Sequence, residues 1–218
     1  MLFNTIDFVI FFFLVVGIIT ILKYRRFQHI FIIFASVFFL YYTNSYLIVI
    51  LIFTILFHYY IGRQIYKTDS KDGKKIFLIA GLAGSLGLLG FFKYADFAIL
   101  QFNILGQELN FNPDIPLLNL ALPIGISFYT FQSISYIIDI YRGNLTPSKT
   151  LREYAFFVAF FPTLVAGPIL RARQFLPQLR EKIEQSNTTG RLRQFVIQHS
   201  NLKFGLTLMA LGFLKKMF

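Results

Sequence analysis

Cysteine and tryptophan are both absent from this chain of 218 residues, and only 14% of it is charged. Without cysteine there is no disulfide, no thiolate nucleophile and no cysteine-held metal, and nothing marks the redox compartment. Soluble domains carry about 25% charged residues. So little charge, on a chain that is 56% hydrophobic, excludes an ordinary water-soluble core. Acidic residues are scarcest, 10 against 21 Lys and Arg, for a formal net charge of +11. Such a balance can serve nucleic acid. No recognition motif accompanies it, however, and the basic residues gather in short stretches between apolar runs, the cytoplasmic bias of membrane proteins. The first apolar run, "IDFVIFFFLVVGIITIL", lacks the basic lead and small-residue cleavage site of a removable signal, so it reads as a first span.

What the chain does have is aromatic and aliphatic bulk, with 29 Phe suited to lipid-facing and interhelical surface and 12 Tyr suited to the headgroup boundary. Apolar runs predict spans at 6–22, 27–42, 46–61 and 76–92. All lie near the lower limit of roughly 17 to 20 residues for a crossing helix, which fits a locally thinned bilayer or borrowed flanking residues. Residues 23–26 carry three basic groups and residues 63–75 carry five, whereas residues 93–120 carry Lys93 against Asp96, Glu108 and Asp114. That asymmetry predicts an extracytoplasmic N-terminus with "KYRR" inside. The segment 95–123, apolar but broken by Asn, Gly and Pro, reads as an interfacial helix and loop on the outer surface.

Residues 120–143, "LALPIGISFYTFQSISYIIDIYRG", form a membrane run with polar residues in it. At 3.6 residues per turn Phe128, Gln132, Ser135, Tyr136, Asp139 and Arg142 share one face. A carboxylate or amide in hydrocarbon needs a partner or water. The stripe therefore either packs inward against neighbouring helices or lines a polar tunnel, with Asp139 and Arg142 spaced to pair. Pro123 and Gly125 sit where a helix can start. Next, 154–170 is apolar but interrupted by Pro162, Gly167 and Pro168, with basic residues on both flanks. Basic flanks fit a re-entrant hairpin better than a kinked span, and broken backbone at that depth must be buried in protein or face a cavity. Residues 171–193, with six basic groups and a polar "QSNTTG" loop, read as cytoplasmic surface; "FGLTLMALGFL" begins a further apolar helix.

Candidate chemistry is sparse. His29, beside "KYRRFQ", reads as interfacial, His58 among tyrosines as a belt residue, and His199 as facing the cytosol. None has a second His at metal spacing or a carboxylate to orient it. No serine sits in a nucleophile elbow, and "GLAGSLG" reads as small residues permitting close helix packing.

"LPIGISFYTFQSISYIIDIYRG" followed by "FFPTLVAGPILRARQFLPQL" resembles the membrane-bound O-acyltransferase (MBOAT) family, in its bacterial branch of alginate O-acetyltransferases and D-alanyl transfer proteins. The resemblance covers the whole chain, 1–218, and the N-terminal half of a family member, so it implies a truncated single transmembrane domain. It implies an all-α polytopic membrane bundle with short spans, a re-entrant broken helix and interfacial helices, placed in the cytoplasmic membrane. The implied activity moves an acyl group, acetyl foremost, from a cytoplasmic acyl-CoA or acyl-carrier thioester to a hydroxyl of an extracytoplasmic glycan. The donor is a substrate; no cofactor or metal is implied. Partners would be lipids, donor, glycan and other envelope-modification proteins.

On this resemblance Gln132, Ser135, Tyr136, Asp139 and Arg142 line or brace the tunnel, and Pro162, Gly167 and Pro168 shape the re-entrant element. Arg171 and Arg173 become donor-side cations, suited to phosphates or an acidic carrier protein. The family's catalytic histidine follows a Trp-His motif that this chain lacks, so it is expected beyond Phe218 and none is assigned here. A transporter, disfavoured by the lack of an internal repeat, and a non-catalytic scaffold remain as alternatives.

Overall fold

The computed structural model describes residues 5–22, 24–43, 48–109, 111, 114–123, 125–164, 170–188 and 199–217. Every regular element among them is helical: α1 (Ile6–Ile21), α2 (Arg25–Thr43), α3 (Ile48–Lys67), α4 (Lys71–Glu108), α5 (Ile126–Tyr141), α6 (Leu151–Ala159), α7 (Phe161–Leu164), α8 (Ala172–Thr188) and α9 (His199–Met217). Among the described residues, α3 and α4 are long and apolar enough to cross a membrane, and 6–21, 27–42 and 203–212 are shorter apolar helices. The chain is a helical membrane protein.

Local chemistry sets several helix starts. The hydroxyls of Thr5, Ser70 and Thr150 accept from the backbone N–H three residues on, capping α1, α4 and α6. At α6, Glu153 reaches back so that its Oε2 accepts from Lys149 N at 2.8 Å, a variant of the capping box.

One boundary departs from the sequence expectation. The span predicted at 76–92 does not stop there: α4 continues through the residues read as a separate outer segment, giving 38 residues in all. At 1.5 Å per residue that is about 57 Å, longer than a bilayer with its headgroups, about 40–45 Å. No proline interrupts 93–108, and a lone Asn or Gly costs too little to end a helix. Asn103, read as a breaker, instead holds the returning chain. Its Oδ1 accepts from Ile115 N (3.2 Å) and its Nδ2 donates to Ile115 O (2.9 Å), while Asp96 Oδ1 accepts from Leu118 N at 2.8 Å. The polar "QSNTTG" loop also begins later than predicted, since α8 extends to Thr188; residues 189–198 lie outside the described residues.

The described chain divides into two compact units. In the one containing Leu2–Phe31 and Glu181–Phe218, buried Gln28 donates to Ile19 O (3.0 Å) and Leu22 O (3.2 Å), satisfying carbonyls that the end of α1 leaves open. The other, Ile32–Arg180, carries the candidate site. In it α3, α4 and α5 pack against one another. Gly81 permits the closest approach, since a Cβ there would lie 2.6 Å from Ile137 Cδ1.

Along α5 runs a helical hairpin. Its first limb, α6 and α7, descends antiparallel to α5. Tyr154 lies on Tyr136 with ring centroids 4.4 Å apart, and farther along Leu164 O crowds Gly125. Its second limb, the start of α8, returns with Phe175 against Phe157 (5.6 Å) and Phe160 (5.9 Å) until Arg180 meets Glu153. The chain leaves at the end where it entered, but the return expected within 154–170 is made by α8 instead, so Arg171 and Arg173, read as the second basic flank, stand at the opposite end from Arg152.

Gly125 is the tightest joint in this packing. Its φ is +78°, and a Cβ would stand 2.5 Å from Leu164 O, a backbone atom. Gly125→Ala is therefore expected to lower stability by roughly 1–3 kcal/mol. Gly87→Ala, with nothing within 4 Å, should hold or slightly raise stability because alanine favours helix. Thermal unfolding in detergent distinguishes the two.

Candidate functional site

The site grows from one broken helix. Pro162 has no N–H, and its ring collides with a helical carbonyl four residues back, so α6 ends at Ala159 and the chain turns at Phe160 (ψ 104°) before α7. The break separates Phe157 C=O from Phe161 N–H, which an unbroken helix would join. In hydrocarbon each would cost several kcal/mol if left open. Both are taken up by side chains of other helices. Gln132 Nε2, on α5, donates to Phe157 O at 2.8 Å, and Phe161 N donates to Ser36 Oγ, on α2, at 3.2 Å. The Ser36 hydroxyl in turn donates to Ile32 O at 2.7 Å, so its oxygen is free to accept. The amide in the membrane run thus replaces a helical hydrogen bond.

The other stripe residues separate by position. Tyr136, fully buried, accepts at its hydroxyl from Ser148 N at 3.0 Å. Ser135 donates to Gln132 O on its own helix at 2.8 Å and bonds no other helix among the described residues. Asp139 is 8% exposed, and its Oδ2 has no hydrogen-bond partner among the described residues. The expected Asp139–Arg142 pair does not form. Arg142 caps α5 and is exposed, because the chain turns away at Gly143 (φ +75°) instead of completing the turn that would stack the two. The hydroxyls of Tyr129, Ser133 and Tyr154 are also buried without partners among the described residues, those of Ser133 and Tyr154 facing each other without hydrogen-bond geometry. With Asp139 they make a polar seam along the contact of α5 with α6. Such buried groups are ordinarily satisfied by protein or water.

Pro162 sits in α7, half-buried, whereas Gly167 and Pro168 lie outside the described residues. Arg171 and Arg173 are both exposed at the start of α8. Because Phe175 already lies at the level of Phe160, the two arginines stand at the tip of the hairpin. Arg180 is nine residues, about 13 Å, further along the helix at the hairpin mouth.

There an ion pair that sequence reading missed closes the hairpin. Arg180 Nε donates to Glu153 Oε1 at 2.6 Å, and its remaining donors reach Thr146 Oγ1 (2.8 Å), Thr146 O (3.3 Å) and Pro147 O (3.0 Å). With Tyr136 and Glu153 holding Ser148 N and Lys149 N, residues 146–149 are fixed from behind at every turn. The only signal in the sequence was an acidic residue three after Thr150, which reads as a cap and gives no hint of its arginine.

His58 corrects a second expectation. It is no belt residue but 1% exposed, its Nδ1 2.9 Å from Thr54 O and its Nε2 2.6 Å from Ser85 Oγ. A carbonyl only accepts, so Nδ1 carries the hydrogen and Nε2 of the neutral ring faces the Ser85 hydroxyl, which also lies 2.5 Å from Gly81 O. This resembles a nucleophile and base, but the cavity beside it holds about 10 Å³, room for one water at most. The pair joins α3 to α4 and leaves no space for a substrate. His29, expected at the interface, is 3% exposed; the His199 side chain lies outside the described residues. No group of three or more His, Asp or Glu among the described residues could hold a metal ion.

Over 99% of its length the chain is 32% identical to the peptidoglycan O-acetyltransferase of Helicobacter pylori, covering 44% of that protein. It is 38% identical to the probable alginate O-acetylase AlgI of Pseudomonas putida over 75% of this chain and 31% of that one. It is also 38% identical to the teichoic acid D-alanyltransferase of Bacillus subtilis over 29% of this chain and 16% of that one. The chain spans less than half the length of these relatives. No family model matches it, and no solved structure does.

Two outcomes follow from the geometry. Gln132→Leu and Ser36→Ala, each stranding one backbone group of the helix break, should each lower stability by about 1–3 kcal/mol. Ser135→Ala, which touches only its own helix, should stay within about 0.5 kcal/mol. Arg180→Gln strands Glu153 and should cost about 3 kcal/mol, the low end for a buried pair because the arginine keeps some exposure. Adding Glu153→Gln should recover part of that loss. Denaturation in detergent measures each variant, and equal stability of Gln132→Leu and the parent would refute the account of the break.

Proposed function

The chain belongs to the membrane-bound O-acyltransferase family, and we propose that it forms part of a single transmembrane domain that O-acylates a cell-envelope glycan. The observation that carries this reading is the 32% identity to a peptidoglycan O-acetyltransferase along 99% of the chain. Relatives named for acetylating alginate and for D-alanylating teichoic acid widen the acceptor class to envelope polymers generally. The acyl group, acetyl foremost, comes from a cytoplasmic thioester. The acceptor hydroxyl attacks the thioester carbonyl and loses its proton to a base, the C–S bond breaks, and the departing sulfur takes a proton.

The described residues contribute the framework of this reaction. None is placed as the base: His58 is packed between α3 and α4 with no space for a substrate. The hairpin and its polar seam on α5 supply a buried polar wall in the bundle. In this reading Gln132 braces that wall, Asp139 and the unpartnered hydroxyls face its polar interior, and Pro162 sets the bend. Positive-inside bias supports placing the hairpin mouth, with Arg142, Lys149 and Arg180, on the cytoplasmic side and the N-terminus outside. With that orientation the tip position of Arg171 and Arg173 weighs against their contacting a cytoplasmic donor.

The test is chemical. Alkali-labile acetate released from purified envelope glycans should fall to background when the gene is deleted and return when it is restored. Unchanged ester content after deletion would sink the proposal.

A further inference from the structure

At the hairpin mouth lies a cavity of about 430 Å³ lined by Arg63, Tyr66, Lys67, Thr146, Pro147, Ser148 and Lys149. Its volume is in the range of small-molecule sites. Its charge is one-sided. Arg63, Lys67 and Lys149 line it, no acidic side chain does, and none of the three makes an ion pair among the described residues. The carboxylate of Glu153, on α6 behind the loop, is consumed by Arg180 and by Lys149 N. Part of the loop's backbone is turned away as well. Thr146 O and Pro147 O accept from Arg180, and Ser148 N donates to Tyr136, so these two carbonyls do not compete for the cationic side chains. Arg63 is steadied by donating to Tyr59 Oη at 2.9 Å and lying 5.5 Å from its ring centre, which leaves most of its donors unused. The C-terminal end of α3 brings about half a negative charge to this region, less than three cations bring of positive.

We propose that this cavity is a binding site for a phosphate-bearing ligand, with Arg63, Lys67 and Lys149 on the phosphate and Tyr66 and Pro147 against the apolar remainder. Arginine and lysine on a preformed wall suit phosphate oxygens through charge-assisted hydrogen bonds. The cavity exceeds what a bare phosphate fills, so the ligand carries a further group. A phospholipid headgroup and the phosphates of a soluble thioester carrier share this chemistry. The inference does not depend on the acyl-transfer reading, since binding is measured without turnover.

The experiment pairs each phosphate compound with its phosphate-free counterpart, using the purified chain in a non-ionic detergent and native mass spectrometry or calorimetry. The pairs are coenzyme A against pantetheine, and phosphatidylglycerol against diacylglycerol. At least one phosphate compound should bind more tightly than its counterpart by about ten-fold or more, the size of one charge-assisted hydrogen bond. Lys67→Gln with Lys149→Gln should remove that preference without changing the unfolding temperature, because both side chains are exposed. Arg171→Gln with Arg173→Gln, at the other end of the hairpin, should leave it intact. Preference for coenzyme A assigns the site to a soluble donor, and preference for phosphatidylglycerol assigns it to lipid. Equal binding within both pairs overturns the proposal, as does a preference that survives Lys67→Gln with Lys149→Gln.

Discussion

The structure depends on a hydrogen bond that is not made. Where Pro162 opens the helix, Phe157 C=O and Phe161 N–H lose each other, and in a water-free setting neither can stay unpaired. The fold answers by bringing Gln132 from α5 to one and Ser36 from α2 to the other. Those two contacts fix which face α5 and α2 turn toward the hairpin. They also explain why an amide is tolerated in an apolar run: it is a substitute for a backbone donor. Around this point the large side chains Tyr136, Tyr154, Phe156 and Phe157 are wholly buried and complete the packing, which in a membrane supplies much of the association energy between helices.

The same hairpin is closed a second time at its mouth. Arg180, the last residue of the returning limb within this unit, ties Glu153 on the first limb to the 146–149 loop. A broken helix held only at its bend could slide along α5. Held at both ends, with Gly125 pressed against Leu164 O at the tip, it has one register. The polar seam of Tyr129, Ser133, Asp139 and Tyr154 keeps its geometry for that reason, although the three hydroxyls and Asp139 Oδ2 have no hydrogen-bond partner among the described residues to hold them.

Much of this was legible in the sequence, and the gaps have physical causes. The α5 stripe follows from period 3.6 and the break from Pro162, whereas the basic flanks misled: Arg171 and Arg173 lie at the tip, and the return to the mouth is made by α8. What Gln132 binds was not legible, because a backbone carbonyl has no letter in a sequence. Asp139 and Arg142 have the spacing of a pair, but spacing holds only while the helix continues, and α5 ends between them. The ion pair that does form joins Glu153 to Arg180, 27 residues apart, a separation that no local pattern encodes. His58 was misread through its neighbours: tyrosines beside it suggest an interface, yet one helical face can be buried while the next is not. The end of α4 was misread because Asn and Gly were weighed as breakers where no proline supported them.

Chain order gives the opened hydrogen bond one more consequence. Ser36 and Gln132 both precede Phe157 and Phe161 in the sequence. During synthesis from the N-terminus, the two side chains that receive the exposed backbone groups have already left the ribosome when the hairpin emerges. The hairpin alone is a poor membrane inserter, since it would carry the bare Phe157 C=O and Phe161 N–H into lipid. Docked onto helices that came before it, it enters with those groups already answered. The order of the elements along the chain therefore doubles as an order of assembly, in which the broken segment follows the two helices that answer its bend.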